Sequence, residues 1–133
     1  MLQTRAIAAL FFSVCPVAAQ ELSTPPESRI VLSGERVRIG ISYDLNPDCS
    51  SKGEIKSRLL EEPKNGEMEI ATEKGFSAFA KDDQRYRCNE NQTDIQTYYY
   101  KSQGDFKGKD IFVVEVFYPS GGYRKRLFIM DVR

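Results

Sequence analysis

Histidine is absent from all 133 residues, and this decides most of the chemistry open to the chain. Without an imidazole there is no Ser-His or Cys-His nucleophile pair, no histidine metal ligand and no histidine general base. Carboxylates are the remaining acid-base groups, and they occur as neighbours in Glu61-Glu62 and Asp82-Asp83. Adjacent strand residues point to opposite faces, and in turns such pairs are solvated. A carboxylate hydrolase built on residues such as Glu62 or Asp83 is therefore an alternative to the main expectation, a chain that is not an enzyme. Asp44-Leu45-Asn46-Pro47-Asp48 resembles the opening of a calcium loop, with oxygen ligands at alternate positions. Its sixth position is Cys49 instead of glycine and its twelfth is Ile55 instead of glutamate, so an Asx-rich turn is expected there. No metal and no cofactor is predicted.

Cysteine chemistry depends on the compartment. Arg5 precedes an apolar run through Ala19, and Val17 and Ala19 are small enough for the positions before a signal-peptidase cut. The run is too short to span a bilayer comfortably, so residues 1–19 are expected to be a cleaved secretory signal. Cys15 would leave with it. Cys49 and Cys88 remain, and two cysteines in an exported chain predict one disulfide; metal ligation lacks any CxxC pair. The mature chain is expected to be one periplasmic or secreted domain with no membrane span. With nineteen basic and nineteen acidic residues in the whole chain, its near-neutral balance argues against nucleic acid as a partner.

These side chains have to be positioned by strands. Residues 20–29, with Pro25-Pro26, read as an extended lead-in, and the domain as 30–133. Arg36 to Asp44 alternates Val37, Ile39, Ile41 and Tyr43 with polar residues or glycine, the pattern of a half-buried strand. Ile55–Leu60 and Glu67–Thr72 flank Pro63-Lys64-Asn65-Gly66, a hairpin signal. Short strands are predicted at Phe76–Ala80 and Arg85–Cys88, and a longer one at Ile95–Lys101. That strand puts Tyr98 and Tyr100 on one face and Tyr99 on the other, where it is a candidate binding residue. Asn91-Gln92-Thr93 matches the N-glycosylation sequon. Seven or so strands spaced by about ten residues, with no amphipathic helix, predict an all-β antiparallel sandwich.

The last hairpin organises the rest. Phe112, Val114 and Val116 share one face of its first strand, and Phe128, Met130 and Val132 one face of its second. Ile111, Val113, Phe117, Leu127 and Ile129 then point the other way. Five large apolar side chains on neighbouring strands form a patch on the order of a few hundred Å², the size at which interaction sites occur. The competing expectation is that Ile30, Val31 and Leu32, or the Thr72–Asp94 stretch, cover this face.

From about Leu59 onward the chain resembles the cadherin-like and bacterial Ig-like modules of exported bacterial proteins. The resemblance rests on Pro63-Lys64-Asn65-Gly66 feeding a strand, on Tyr98 to Tyr100, on Phe106-Lys107-Gly108-Lys109-Asp110-Ile111-Phe112 opening the hairpin, and on the closing Phe128 to Val132. It implies an Ig/cadherin-like sandwich that works by binding a protein or cell-envelope component. The Cys49/Cys88 pair and the Thr72–Asp94 stretch depart from the pattern. At the hairpin tip, Ser120-Gly121-Gly122-Tyr123 is similar to the Ser-Gly-x-Tyr loop of small bacterial periplasmic lysozyme inhibitors. That similarity implies the alternative of a hydrolase inhibitor acting through the tip.

Overall fold

A computed structural model of the chain describes residues 24–133; the predicted signal segment with Cys15 lies outside the described residues. The strands are β1 (Glu27–Val31), β2 (Arg36–Ser42), β3 (Lys56–Glu61), β4 (Gly66–Phe76), β5 (Gln92–Ser102), β6 (Gly108–Phe117) and β7 (Tyr123–Val132). They form a four-stranded sheet, β1-β7-β6-β3, and a three-stranded sheet, β2-β5-β4. All neighbours are antiparallel except β1, which lies parallel to β7. The chain is an all-β sandwich with one disulfide, Cys49–Cys88.

The β6–β7 hairpin pairs without interruption from Gly108↔Val132 to Phe117↔Tyr123. Its inward alternation buries Phe112, Val114, Val116, Phe128, Met130 and Val132 completely or nearly so. Tyr98 and Tyr100 of β5 meet them from the opposite sheet, and Val31, Ile39 and Ile55 complete the core. The rings form a column: Tyr100 lies 5.6 Å from Phe112, and Phe112 lies 5.3 Å from Phe128. This is the packing that the alternation of these strands predicts.

Asp110 joins the two sheets. Its carboxylate is 2 % exposed and accepts hydrogen bonds from the backbone N–H groups of Lys64 and Asn65 and from the Tyr100 hydroxyl. Burial, followed by the hydrogen bond to Asp110, pushes the Tyr100 phenol well above its usual range. Gly108, at φ 131°, makes the turn that delivers Asp110 to this position. Asp110 thus links the β6–β7 hairpin to the loop between β3 and β4 rather than bonding donors of its own turn.

That link explains one departure from expectation. Pro63-Lys64-Asn65-Gly66 does not close a hairpin: β3 pairs with β6 and β4 pairs with β5, so this loop crosses between sheets. Asn65 and Gly66 are not among the positive-φ residues, so the primed turn suggested by Asn-Gly is not formed. Glycine is required at 66 for space, because a Cβ there would lie 2.7 Å from the Lys101 carbonyl oxygen.

Three further expectations change. β1 begins at Glu27, inside the stretch read as lead-in, because Arg126 of β7 clamps the Glu27 carboxylate with two hydrogen bonds of 2.7 and 2.9 Å. Phe76–Ala80 is not a separate strand, since β4 runs to Phe76 and then ends. Residues Tyr86–Glu90 form a 3-10 turn instead of a strand. There the Asn89 side chain takes over the backbone bonding, accepting from Phe79 N–H and donating to the Phe79 carbonyl. The Cys49–Cys88 bond, Arg85 to the Leu45 carbonyl and Arg87 to the Pro47 carbonyl fasten this segment to the loop after β2. Leu45, Cys88 and Ile95 are buried yet lie outside the main core cluster. They stand on the loop after β2, on this segment and on β5 respectively, and the segment's bonds hold the first two of these together.

A buried polar chain also crosses the sandwich. Ser57 of β3 bonds Gln96 and the Tyr98 hydroxyl, Tyr98 donates to Ser42, and Arg126 donates to Ser42 and to the Ile41 carbonyl before reaching Glu27. Members come from five strands, so each sheet is registered against the other by bonds with fixed directions.

Candidate functional site

The face of β1-β7-β6-β3 turned away from the core carries the five apolar residues singled out from the sequence. The structure brings Ile111, Val113, Phe117, Leu127 and Ile129 together, with Ile111↔Ile129 and Val113↔Leu127 as direct cross-strand pairs. They are not equally accessible. Ile111 is 49 % and Phe117 39 % exposed, whereas Val113 is only 7 % exposed; Leu127 and Ile129 are half-buried. Val113 sits on a central strand between Leu127 and Glu61, beside an irregular register that adds Leu60 to the partner strand. Long neighbours on both sides enclose it, which corrects its reading as an outward docking residue.

Neither expected cover lies over this face. β1 extends the sheet at its edge, and the 72–94 stretch belongs to the other sheet. Ile30 and Leu60 add to the exposed apolar surface at the two margins.

One end of the face is built differently. Phe117 and Tyr123 pair across the hairpin with ring centroids 5.2 Å apart, and the Arg58 guanidinium lies 5.5 Å from the Phe117 ring. Glu115, 8 % exposed, holds both partners: Arg58 Nε donates to it at 2.6 Å and the Tyr123 hydroxyl at 2.9 Å. The Tyr123 ring and the Arg58 guanidinium are thus tied to one carboxylate, with the Phe117 ring beside both. Arg58 and Glu115 were not found from the sequence. The signal was an unexpected glutamate in the apolar run of β6, but only the β3–β6 pairing, which sets Arg58 opposite Glu115, gives it a role.

The Arg58 hydrogen bond, then that from Tyr123, holds the Glu115 carboxyl below its usual range. Since the folded-state pKa is the lower one, the stabilisation is present above the unfolded value of about 4.3 and is lost as pH falls through the folded value. An NMR titration is expected to place the Glu115 midpoint below that of a model glutamate, with the Tyr123 ring resonances moving in the same transition. A Glu115 midpoint at or above the model value would contradict the arrangement.

Tyr123 was predicted as part of the tip site, and the structure assigns its ring to the Phe117 patch. Ser120, Gly121 and Gly122 are exposed, and the turn is closed by Tyr118 N–H to the Gly122 carbonyl and Gly121 N–H to the Tyr118 carbonyl. Ser120 N–H also bonds Asp44, which anchors the tip to the loop after β2. Asp44 is in turn paired with Lys52, and Asp48 accepts from Ser50, so this loop is the expected Asx-rich turn. Among the described residues there is no group of three or more metal-ligating side chains.

Tyr99 does not join the other candidates. It lies on the outer face of the second sheet, with the Arg36 guanidinium 3.6 Å above its ring and its hydroxyl donating to Glu73 at 2.6 Å. Beside the tip is an open cleft of about 680 Å³ whose lining includes Tyr43, Phe79, Tyr118 and Arg124. Its carboxylates are each committed: Glu27 to Arg126, Asp44 to Lys52 and Asp83 to Arg85.

No protein-family model matches the chain, and no curated protein matches it. Among solved structures, the solution structure of amebosin is similar over 80 % of this chain and 88 % of that one, with 13 % identity and a TM-score of 0.40.

Proposed function

We propose that this chain is an exported, non-catalytic Ig/cadherin-like interaction module that docks another protein through the outer face of β1-β7-β6-β3. The observation that carries the reading is the pre-set cluster of Phe117, Tyr123 and Arg58 on Glu115, continuous with Ile111, Leu127 and Ile129. Aromatic residues and arginine are the types enriched at protein–protein contacts, and side chains already held in one geometry lose less entropy on binding. A protein of the periplasm or cell exterior is the matching partner. The committed cleft carboxylates favour binding over hydrolysis.

Ile111→Glu separates this reading from a merely solvated face. Because Ile111 is 49 % exposed, the variant is expected to keep its stability within about 0.5 kcal/mol. It should lose at least tenfold in capture of the partner that the wild-type domain retains, and Phe117→Glu should do the same. Val113→Glu places a charge at a 7 % exposed position and should lower stability by several kcal/mol. Undiminished capture by both Ile111→Glu and Phe117→Glu would end the docking-face reading.

A further inference from the structure

The two sheets have four edge strands, and they are not equally defended. β1 is five residues long. β2 is interrupted by an irregular register between Arg38 and Gly40, and β3 by one between Leu59 and Glu61. Short length and bulges are the ordinary ways of closing an edge to further pairing. β4 has neither. It runs eleven residues from Gly66 to Phe76 in unbroken register with β5, contains no proline, and among the described residues pairs on that side alone.

The direction of its free backbone groups follows from one bond. Gln103 N–H donates to the Asn65 carbonyl, and these two residues continue the β4–β5 register. Hydrogen-bonded pairs alternate along an antiparallel ladder. Glu67, Glu69, Ala71 and Glu73 therefore turn their backbone groups to β5. Met68, Ile70, Thr72 and Lys74 turn theirs outward, away from the sheet. No residue of β4 is buried.

The side chains state what would fit. On the outer face of the edge stand Glu67, Glu69 and Glu73, with Ala71 between the last two; Glu69 is ion-paired with Arg36 at 3.0 Å and Glu73 accepts from the Tyr99 hydroxyl, and on the other face stand half-buried Met68 and Ile70 and the 50 % exposed Phe76. For a second β4, two-fold pairing about Ala71 would set Glu69 against the Glu73 of the other copy twice, whereas pairing about Thr72 sets Glu69 against Gly75 and Glu73 against Ala71, so the second copy is an outcome that the test must separate.

We propose that β4 is a strand-addition site for an extended segment of another protein that alternates cationic and apolar residues. Its backbone would pair with Met68, Ile70, Thr72 and Lys74. Its cationic side chains would lie over Glu67, Glu69 and Glu73, and its apolar ones beside Met68 and Ile70. This site is on the opposite sheet from the docking face and does not depend on it.

Residue-resolved amide hydrogen exchange on the full chain, with and without the synthetic peptide Val-Lys-Thr-Val-Val-Lys-Val-Lys, whose antiparallel pairing would span Lys74 to Glu67, tests the proposal. The expected result is a tenfold or greater slowing at Met68, Ile70, Thr72 and Lys74, with little change at Glu67, Glu69, Ala71 and Glu73. Ile70→Pro removes an outward N–H and should abolish the slowing at the remaining three while the protein stays folded. Glu67→Lys, at an exposed side chain, should weaken peptide binding several-fold and serves if the proline variant does not fold. No slowing at saturating peptide, or slowing elsewhere on the molecule, would overturn the proposal. So would slowing at these amides that grows with protein concentration and without peptide, because it would place a second copy at the edge.

Discussion

Replacing Phe112 with alanine is expected to destabilise the domain by about 3–5 kcal/mol. Phe112 is fully buried and is the middle ring of the Tyr100–Phe112–Phe128 column. The ring therefore contributes transfer free energy, dispersion contacts on both faces and the packing of one sheet on the other. Its neighbours are constrained from outside: Tyr100 is tied through its hydroxyl to Asp110, and Phe128 sits at 6.2 Å from Tyr98, whose hydroxyl is tied to Ser42. They have little freedom to collapse into the space left behind, which places the cost toward the upper end. Denaturant unfolding followed by circular dichroism would measure it, with Ile111→Ala on the same strand as a control expected to fall within about 0.5 kcal/mol. A Phe112→Ala loss as small as the control would mean that the sandwich core is not where the alternation of β6 places it.

The second large effect is expected from removing the disulfide. Closing a loop with a sequence separation of 39 residues restricts the unfolded chain by about 4 kcal/mol in the entropy model. The folded structure adds a local component. Cys88 is 1 % exposed, as is Leu45 of the loop after β2, and Ile95 of β5 is 2 % exposed. The bonds from Arg85 and Arg87 to the loop after β2 depend on the same approach of the two segments. The double variant Cys49→Ala/Cys88→Ala is expected to lose roughly 3–5 kcal/mol. Its hydrogen-exchange protection should fall first in the 3-10 turn and the loop after β2, while β6 and β7 keep theirs. Thiol titration of the unreduced, denatured protein should find neither Cys49 nor Cys88 free. Uniform loss of protection across both sheets would show that the bridge acts only on the unfolded chain and adds no local stability to the segment it fastens.

Strand periodicity, and therefore most of the core, was open to reading in the chain itself. Phe112, Val114 and Val116 against Phe128, Met130 and Val132, the split of Tyr98 and Tyr100 from Tyr99, and the Cys49–Cys88 pair all follow from local rules. Side chains alternate along a strand whatever the strand packs on, and with Cys15 assigned to the expected signal segment, Cys49 and Cys88 are left with one intramolecular pairing. Partner choice is another matter. Pro63-Lys64-Asn65-Gly66 carries a hairpin signal, yet Asp110, 46 residues after Lys64, draws that loop into a crossover between sheets. The 3-10 turn at Tyr86–Glu90 likewise exists because Asn89 and Cys88 find partners ten and 39 positions away. Local propensity cannot register such partners, since their bonds form only when distant segments meet. The candidate site divides along the same line. The apolar alternation of β6 and β7 marked Ile111, Val113, Phe117, Leu127 and Ile129 as one face. Only the register of β3 on β6 buried Val113, exposed Ile111 and set Arg58 against Glu115, because exposure belongs to a residue's cross-strand neighbours as much as to the residue.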